Sequence, residues 1–260
     1  ITATTVDGNK KATCEVTVED NNSDITLLTN KGVVIEDFTA TWCGPCYFGM
    51  SNIKKVLKNF DHDRVMLVCH HLNDDFEVIE SRTLATAYKV SGIPSCMVNR
   101  TNVYGYSINF NPSYLTTNII TKQLEAETSV HIGMRTSYNE TTKELKVEVA
   151  GNLLSALPQA RLNVYLVQDS IIAYQNNGGS NYAHRNALRK ILSADAVWGD
   201  PLGVSTGKFS KTYTYTIPDK IGKFATDLKK MYVVAFVAEH HSTTEMRNNI
   251  IHNTVIKKVK

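Results

Sequence analysis

The sequence predicts an α/β domain in its first half, followed by a mainly β domain in its second half. At 260 residues, the chain exceeds one average domain of about 150 residues. Strand and helix signals alternate over residues 21–125, whereas residues 126–260 hold mostly β-type runs separated by turns. Hydrophobic residues make up 42% and charged residues 20%, which is typical of globular chains and excludes disorder, collagen and coiled coil.

The first 20 residues predict a β-hairpin. Ile1–Val6 and Ala12–Val18 are β-rich runs, and Asp7–Asn9 can supply the positive φ values of a tight turn. The hairpin resembles the closing hairpin of a bacterial immunoglobulin-like repeat, which implies an adhesion-type module upstream. Because the chain begins inside a strand pattern, we expect a truncated or processed product whose targeting segment is absent.

Residues 21–125 predict an α/β layer architecture. Strands are expected at Gly32–Phe38, Val65–Cys69, Ser95–Asn99 and Val103–Asn109. Helices are expected at Pro45–Asn59 and Phe76–Tyr88, and a last one begins with Asn111 as N-cap and Pro112 at the first helical position.

Residues 126–260 predict a β-sandwich. Strands are expected at Val130–Ser137, Glu144–Val149, Leu162–Val167, Ser210–Ile217 and Met231–Ala238. The segment Tyr182–Leu192 has helical composition, and we interpret it as an amphipathic helix with a solvated basic face. The alternative is an anion or glycan contact made by Arg185, Arg189 and Lys190.

Cys43 and Cys46 stand three residues apart where a buried strand meets a helix. This spacing in a first helical turn lets the two sulfurs form a small disulfide ring. The unpaired N–H groups and the positive end of the helix dipole favour a thiolate at Cys43, so its pKa should fall from about 8.5 toward about 7. Thiolate is the attacking species in disulfide exchange. The motif therefore predicts redox chemistry.

Other residues complete this predicted site. Asp37 lies on the incoming strand, where a buried carboxylate with a raised pKa could accept the proton of Cys46. Pro94 precedes another strand and would lie beside the cysteines. A cis bond there would turn the Ile93 backbone toward a substrate strand.

This constellation resembles the thioredoxin superfamily, on the segments Val34–Cys46 and Tyr88–Ser95. The resemblance implies a central mixed sheet flanked by helices, with Cys43 as nucleophile and Cys46 as resolving thiol. It further implies that Trp42 shields the disulfide and that Ile93 and Pro94 bind substrate. The Gly-Pro dipeptide is that of reducing members. Tyr47 stands where thioredoxins commonly have a basic residue, which leaves surface recognition and the reduction potential open.

The cysteines and histidines allow further interpretations. A lone CxxC could be half a zinc site, but a second CxxC or a His pair at ligand spacing is missing, so no metal is expected. The pair could also be a structural disulfide, or the thioredoxin fold could serve only for binding. By the resemblance, Cys69 and Cys96 lie on opposite sides of the active-site strand, too far apart to pair. We interpret both as buried free thiols, although Cys96 could serve as a third redox thiol. We interpret His240 and His241 as solvated residues at a strand end.

The second half resembles the twenty-eight-kilodalton outer-membrane protein family of Bacteroidetes lipoproteins. The resemblance rests on Asn181–Lys190, on Trp198-Gly199, and on the flanking strands Leu162–Gln168 and Val233–Val237. It implies an exported lipoprotein of the periplasm, outer membrane or cell surface, with an N-terminal lipid anchor outside this sequence. No apolar run approaches the roughly 20 residues of a membrane-spanning helix.

Two function classes follow. The first is a thiol–disulfide oxidoreductase that reduces or isomerises protein disulfides, with disulfide-containing proteins as substrates and a separate redox protein as electron donor. It needs no cofactor beyond the Cys43–Cys46 disulfide. The second is an adhesion or ligand-binding lipoprotein that uses the thioredoxin fold as a scaffold, which the N-terminal hairpin and the basic second half favour. The net charge of +3 gives no reason to expect a nucleic-acid partner.

Overall fold

The computed structural model describes residues 2–4, 11–13, 25–105, 107–241 and 249–260. Near the N-terminus, β1 (Thr2–Thr4) and β2 (Lys11–Thr13) form an antiparallel pair. The rest of the expected hairpin, including Asp7–Asn9 and Cys14, lies outside the described residues. The upstream immunoglobulin-like module stays a prediction.

The first half contains alternating strands and helices, as predicted. Its elements are β3 (Val33–Thr39), α1 (Gly44–Leu57), β4 (Val65–His71), α2 (Ile79–Ala87), β5 (Ser95–Val98), the 3-10 turn Pro112–Tyr114 and α3 (Thr117–Glu125). Of the described helices, none is long and apolar enough to cross a membrane.

Long antiparallel strands dominate the second half. They are β6 (Val130–Asn139), β7 (Glu144–Leu153), β8 (Ala160–Gln168), β13 (Gly207–Thr216), β16 (Met231–Glu239) and β17 (Ile251–Lys258). Shorter strands are β9 (Ile171–Gln175), β10 (Gly179–His184), β11 (Ala187–Ile191), β12 (Asp200–Pro201), β14 (Lys220–Ile221) and β15 (Phe224–Ala225). A 3-10 turn at Leu228–Lys230 precedes β16.

One mixed sheet crosses from the first half into the second. Its order is β17-β16-β8-β11-β4-β3-β5, and β12 also pairs with β8. The strand β3 is parallel to β4 and antiparallel to β5. The strand β11 is parallel to β4 and antiparallel to β8. The thioredoxin-like part of the sheet therefore continues into strands that lie beyond residue 125.

The second half forms a β-sandwich, as predicted. A three-stranded antiparallel sheet, β13-β7-β6, faces the strands β8, β16 and β17 of the mixed sheet. Its core is built from inward-facing apolar residues of both layers, such as Val147, Val149, Leu166 and Val233. Burial of these side chains from water is the main driving force that holds the two layers together.

The predicted helix over Tyr182–Leu192 is wrong. The segment forms the end of β10 and the whole of β11, with Asn186 between them at a φ of 40°. Positive φ at Asn186 interrupts any helix. The backbone of β11 pairs with β8 on one side and meets β4 on the other, so tertiary pairing overrides local helical composition.

Two predicted elements in the first half, a strand and the last helix, also differ from the structure. The segment 103–109, described except for residue 106, forms turns in place of the predicted strand, and Gly105 has a φ of 85° there. Only the bridge of Cys96 with Phe110 extends the sheet in this region of the described chain. The last helix is divided: Asn111 caps the short 3-10 turn, and Thr116 caps α3.

Candidate active site

Cys43 is the N-cap residue of α1, four residues after β3 ends. Its φ of −81° and ψ of 104° are extended, and its Sγ accepts a hydrogen bond from the Cys46 N–H at 3.3 Å. A disulfide joins Cys43 to Cys46. Pro45 stands in the first turn, where a missing N–H leaves no helical bond unmade. The structure thus places the two predicted redox residues together at the N-terminus of a helix.

The disulfide is nearly buried beside an exposed tryptophan. Cys43 is 4% exposed and Cys46 2%, whereas Trp42 is 51% exposed. The Trp42 indole Nε1 donates to the Leu72 carbonyl at 3.3 Å. Ile93 packs against the two cysteines and Ala40. The accessible face of the pair is therefore bordered by Trp42 and by the segment that contains Ile93.

Asp37 lies in the middle of β3, in register with Cys69 of β4 and Cys96 of β5. It is 1% exposed, and its Oδ1 finds no hydrogen-bond partner among the described residues. Burial raises the pKa of the Asp37 carboxyl well above its usual range. Burial, together with the charge of Asp37, also raises the pKa of both thiols. Cys69 and Cys96 are free and flank β3 on opposite sides, as predicted.

Pro94 directly precedes β5, and its peptide bond with Ile93 is cis. A Cβ added to Gly49 of α1 would lie 3.4 Å from the Pro94 Cβ and 2.6 Å from the Pro112 Cγ. Glycine at position 49 therefore permits close approach between α1, the helix that begins after Cys43, and both prolines. The substrate-binding role of Ile93 and Pro94 stays a prediction.

Sequence reasoning missed a second carboxylate, which lies at the active-site loop, residues 40–44. Asp74 Oδ2 accepts from the Thr41 N–H at 2.8 Å and lies 2.7 Å from His71 Nδ1. Burial would raise the pKa of Asp74, but the His71 hydrogen bond and the backbone donors hold it below its usual value. His71 and Cys46 line a cavity of about 10 Å³, the room of a single water molecule. The only sequence signal for this pair is that His71 and Asp74 stand three residues apart, close enough for their side chains to meet.

The β9–β10 hairpin, residues 171–184, also escaped sequence reasoning. Its turn residues Gln175, Asn176 and Asn177 donate hydrogen bonds to backbone carbonyls of the active-site loop, residues 40–44. The consecutive Asn-Asn-Gly-Gly after an apolar run predicts a turn, but nothing in the sequence indicates what this turn touches.

The three basic residues of the predicted helix face, Arg185, Arg189 and Lys190, each bond to an acceptor within the fold, and because the segment forms strands they do not make one solvated helix face. Arg185 Nε donates to Asp169 Oδ1 at 2.6 Å, and Lys190 pairs with Glu80. Arg189 is 2% exposed and donates to the Ile221 carbonyl. Its burial lowers its pKa to about 10.

The histidines near residue 240 are engaged with neighbouring side chains. The His240 ring stacks on Trp198 with centroids 4.4 Å apart, so it is not a purely solvated residue. His241 and His252 each pair with Glu239. Among the described residues, no group of three His, Cys, Asp or Glu side chains is arranged to hold a metal ion.

The fold and the dithiol site define a thioredoxin-family domain. The sequence model of thioredoxin matches residues 14–114. Thioredoxin of Bacillus subtilis is 32% identical over 100 residues, which cover 37% of this chain and 86% of that protein. Thioredoxin H-type of Fagopyrum esculentum is 29% identical over 83 residues, 32% of this chain and 65% of that protein.

The larger part of the chain matches a second family. The sequence model described as "Outer membrane protein Omp28" matches residues 81–258, and the chain belongs to this family. HBP35 of Porphyromonas gingivalis superposes with a TM-score of 0.71 at 24% identity, covering 89% of this chain and 76% of that chain. This likeness shows that the two proteins share a fold across both halves.

Proposed function

We propose that this protein is a thiol–disulfide oxidoreductase of the cell envelope that reduces or isomerises protein disulfides. The observation that carries the proposal is the Cys43–Cys46 pair at the N-terminus of α1, directly after the strand that contains the buried carboxyl of Asp37. The helix terminus favours thiolate at Cys43. Membership of the thioredoxin family supports redox chemistry, and membership of an outer-membrane protein family supports the envelope location.

The reaction proceeds in two exchanges. The thiolate of reduced Cys43 attacks one sulfur of a substrate disulfide, which forms a mixed disulfide and releases the other substrate sulfur as thiolate. Asp37 accepts the proton of Cys46, and the Cys46 thiolate then attacks the Cys43 sulfur. The Cys43–Cys46 disulfide forms, and the second substrate thiol leaves. Two electrons have passed to the substrate, so a separate redox protein must reduce the pair again.

The substrate polypeptide would lie along the exposed border of the disulfide. Trp42 offers an apolar surface there, and the backbone at Ile93 and Pro94 offers hydrogen-bonding groups to an extended strand. The Gly-Pro dipeptide between the cysteines favours the reducing direction. An N-terminal lipid anchor would hold the protein at the membrane.

Reduction of insulin disulfides by dithiothreitol tests the function. We expect the wild-type protein to accelerate the reaction and Cys43→Ser to lack this effect, because the nucleophile is then absent. Cys69→Ser is the matched control, since this thiol is buried on a neighbouring strand, and it should retain the rate. Equal rates for wild type and Cys43→Ser would refute the proposal and leave the binding-scaffold alternative.

A further inference from the structure

The active-site loop receives a hydrogen bond at each of its five consecutive carbonyls from the β9–β10 hairpin. Gln175 Nε2 donates to Cys43 O at 3.0 Å and to Ala40 O at 3.3 Å. The next two residues supply the remaining donors. Asn176 N donates to Thr41 O at 2.8 Å, Asn176 Nδ2 to Trp42 O at 3.0 Å, and Asn177 Nδ2 to Gly44 O at 3.2 Å.

The second strand of the hairpin, β10, also contacts α1 and β4. The Tyr182 hydroxyl accepts from Lys54 Nζ at 3.2 Å, and the Lys54 ammonium lies 4.5 Å from the Tyr182 ring centroid. The His184 ring meets the His71 ring with centroids 5.2 Å apart. Contacts on α1 and β4 therefore hold the hairpin in register with the loop.

Gln175 makes the most buried of these loop contacts. It is 3% exposed, and the Ala40 that it contacts is fully buried, so water cannot readily replace its amide. Without Gln175, the Ala40 carbonyl would keep only the Cys43 N–H, at 3.2 Å, and the Cys43 carbonyl would lose this donor, so less of the partial negative charge on these two carbonyls beside Cys43 would be compensated. Such charge disfavours a thiolate, in opposition to the helix terminus.

The tip of the hairpin also closes the space above Gly44. A Cβ at this position would lie 2.9 Å from Asn177 Nδ2 and 3.5 Å from Asn176 Nδ2. A larger residue at position 44 would therefore have to shift the Asn177 side chain, which donates to the Gly44 carbonyl. The Cys-Gly-Pro-Cys sequence and the hairpin fit each other.

We propose that Gln175 is a positioning residue for the redox reaction, through which the second half of the chain holds the active-site loop and keeps the Cys43 sulfur nucleophilic. This inference rests on the proposed function for its biological meaning. The hairpin lies on the β4 side of the loop, whereas Pro94 directly precedes β5 on the other side of β3, so the hairpin leaves the proposed substrate border open.

The test measures how the alkylation rate of Cys43 depends on pH in the reduced, full-length protein. Iodoacetamide is the probe, and tandem mass spectrometry distinguishes label on Cys43 from label on Cys46, which lies on the same peptide, and from label on the other cysteines. In Gln175→Met, which keeps the side-chain length without the amide, we expect the rate at pH 7 to fall about threefold to tenfold, and the midpoint of the profile to move upward. Asn177→Gly should shift the profile in the same direction by less, because it removes one donor and preserves a positive φ of 66°.

Gln168→Met is the matched control. Gln168 is also buried and donates to a backbone carbonyl, that of Ala225, at 3.1 Å, away from the cysteines. A general loss of stability would affect both variants, whereas the proposal expects an unchanged Cys43 profile in Gln168→Met. A Gln175→Met profile identical to wild type would overturn the proposal. This readout needs no turnover, so it is independent of the insulin assay that tests the proposed function.

Discussion

Asp37 is a buried carboxyl whose Oδ1 has no hydrogen-bond partner among the described residues. Burial raises its folded-state pKa above the ordinary value of 3.8. Between the unfolded and the folded pKa, the folded protein binds more protons, so the free energy of unfolding falls as pH rises through this window. The same raised pKa that weakens the fold at neutral pH suits the carboxyl to the role of proton acceptor for Cys46 that we propose for it.

Asp37→Asn should therefore raise the stability of the protein and lower its activity. We expect the free energy of unfolding at pH 7 to increase by roughly 1–3 kcal/mol, because a carboxyl that is destabilising when ionised is replaced by a neutral isostere. The insulin-reduction rate should fall at least about tenfold, because the variant lacks the proton acceptor that we propose for Cys46.

Denaturant unfolding and the insulin assay measure the two effects. Asp75→Asn serves as control, since Asp75 is 55% exposed and pairs with Lys223. A slower variant that is also less stable would argue against this account of Asp37.

At the scale of elements, the junction of β3 and α1 is the part of the molecule most readable from sequence. A buried apolar strand, a Cys N-cap and a Pro in the first turn each favour the observed local structure, so local and tertiary preferences agree. The five long strands predicted in the second half are confirmed for the same reason. Their alternating side chains face a sandwich core.

The segment from β9 to β11 could not be predicted, because its structure depends on partners distant in sequence. Arg189 and Lys190 give it helical composition, yet the open edges of β4 and β8 accept its backbone. The contact of Gln175 with Cys43 spans 132 residues, and no periodicity records such a pairing. Of the candidate site, the motif residues were predictable and the residues that hold them were not.

Gly49→Ala tests the packing of α1 on its neighbours. Helix propensity alone would favour alanine by about 1 kcal/mol. However, the new Cβ would lie 2.6 Å from the Pro112 ring, so we expect a net loss of about 1–2 kcal/mol in the free energy of unfolding. Chemical denaturation measures the change. Gly92→Ala is the control, because a Cβ there meets no described atom within 4 Å; equal stabilities would mean that α1 adjusts freely.

At the scale of the whole molecule, a buried ionic cluster joins the two halves. Arg100 donates to both carboxylate oxygens of Glu36, at 2.8 and 3.0 Å, and to the Tyr165 hydroxyl of β8 at 3.0 Å. Its guanidinium also lies 5.1 Å from the Phe236 ring centroid of β16. Burial opposes ionisation of Glu36, but Arg100 and His70 lower its pKa to about 2. The cluster is therefore charged at neutral pH.

Arg100→Met should destabilise the protein by roughly 3–5 kcal/mol, because it leaves the Glu36 carboxylate buried without its partner. Since the folded pKa of Glu36 lies below the unfolded value of 4.5, its contribution to stability is present above pH 4.5 and disappears as pH falls toward 2.

Thermal unfolding of wild type, Arg100→Met and the double variant with Glu36→Gln measures this contribution. The double variant should recover much of the loss. An Arg100→Met variant as stable as wild type at pH 7 would show that the ion pair is not what joins the halves.

The position of β11 also determines how late in synthesis the mixed sheet around the cysteine pair can be completed. A chain synthesised from its N-terminus makes β3, α1 and both redox cysteines early, but β4 has an open edge until residues 187–191 arrive. Gln175 reaches the active-site loop only after a comparable delay. The contacts of the hairpin with this loop therefore form only after both cysteines have been made. The β-rich half thus completes the surroundings of a cysteine pair that the first half already contains.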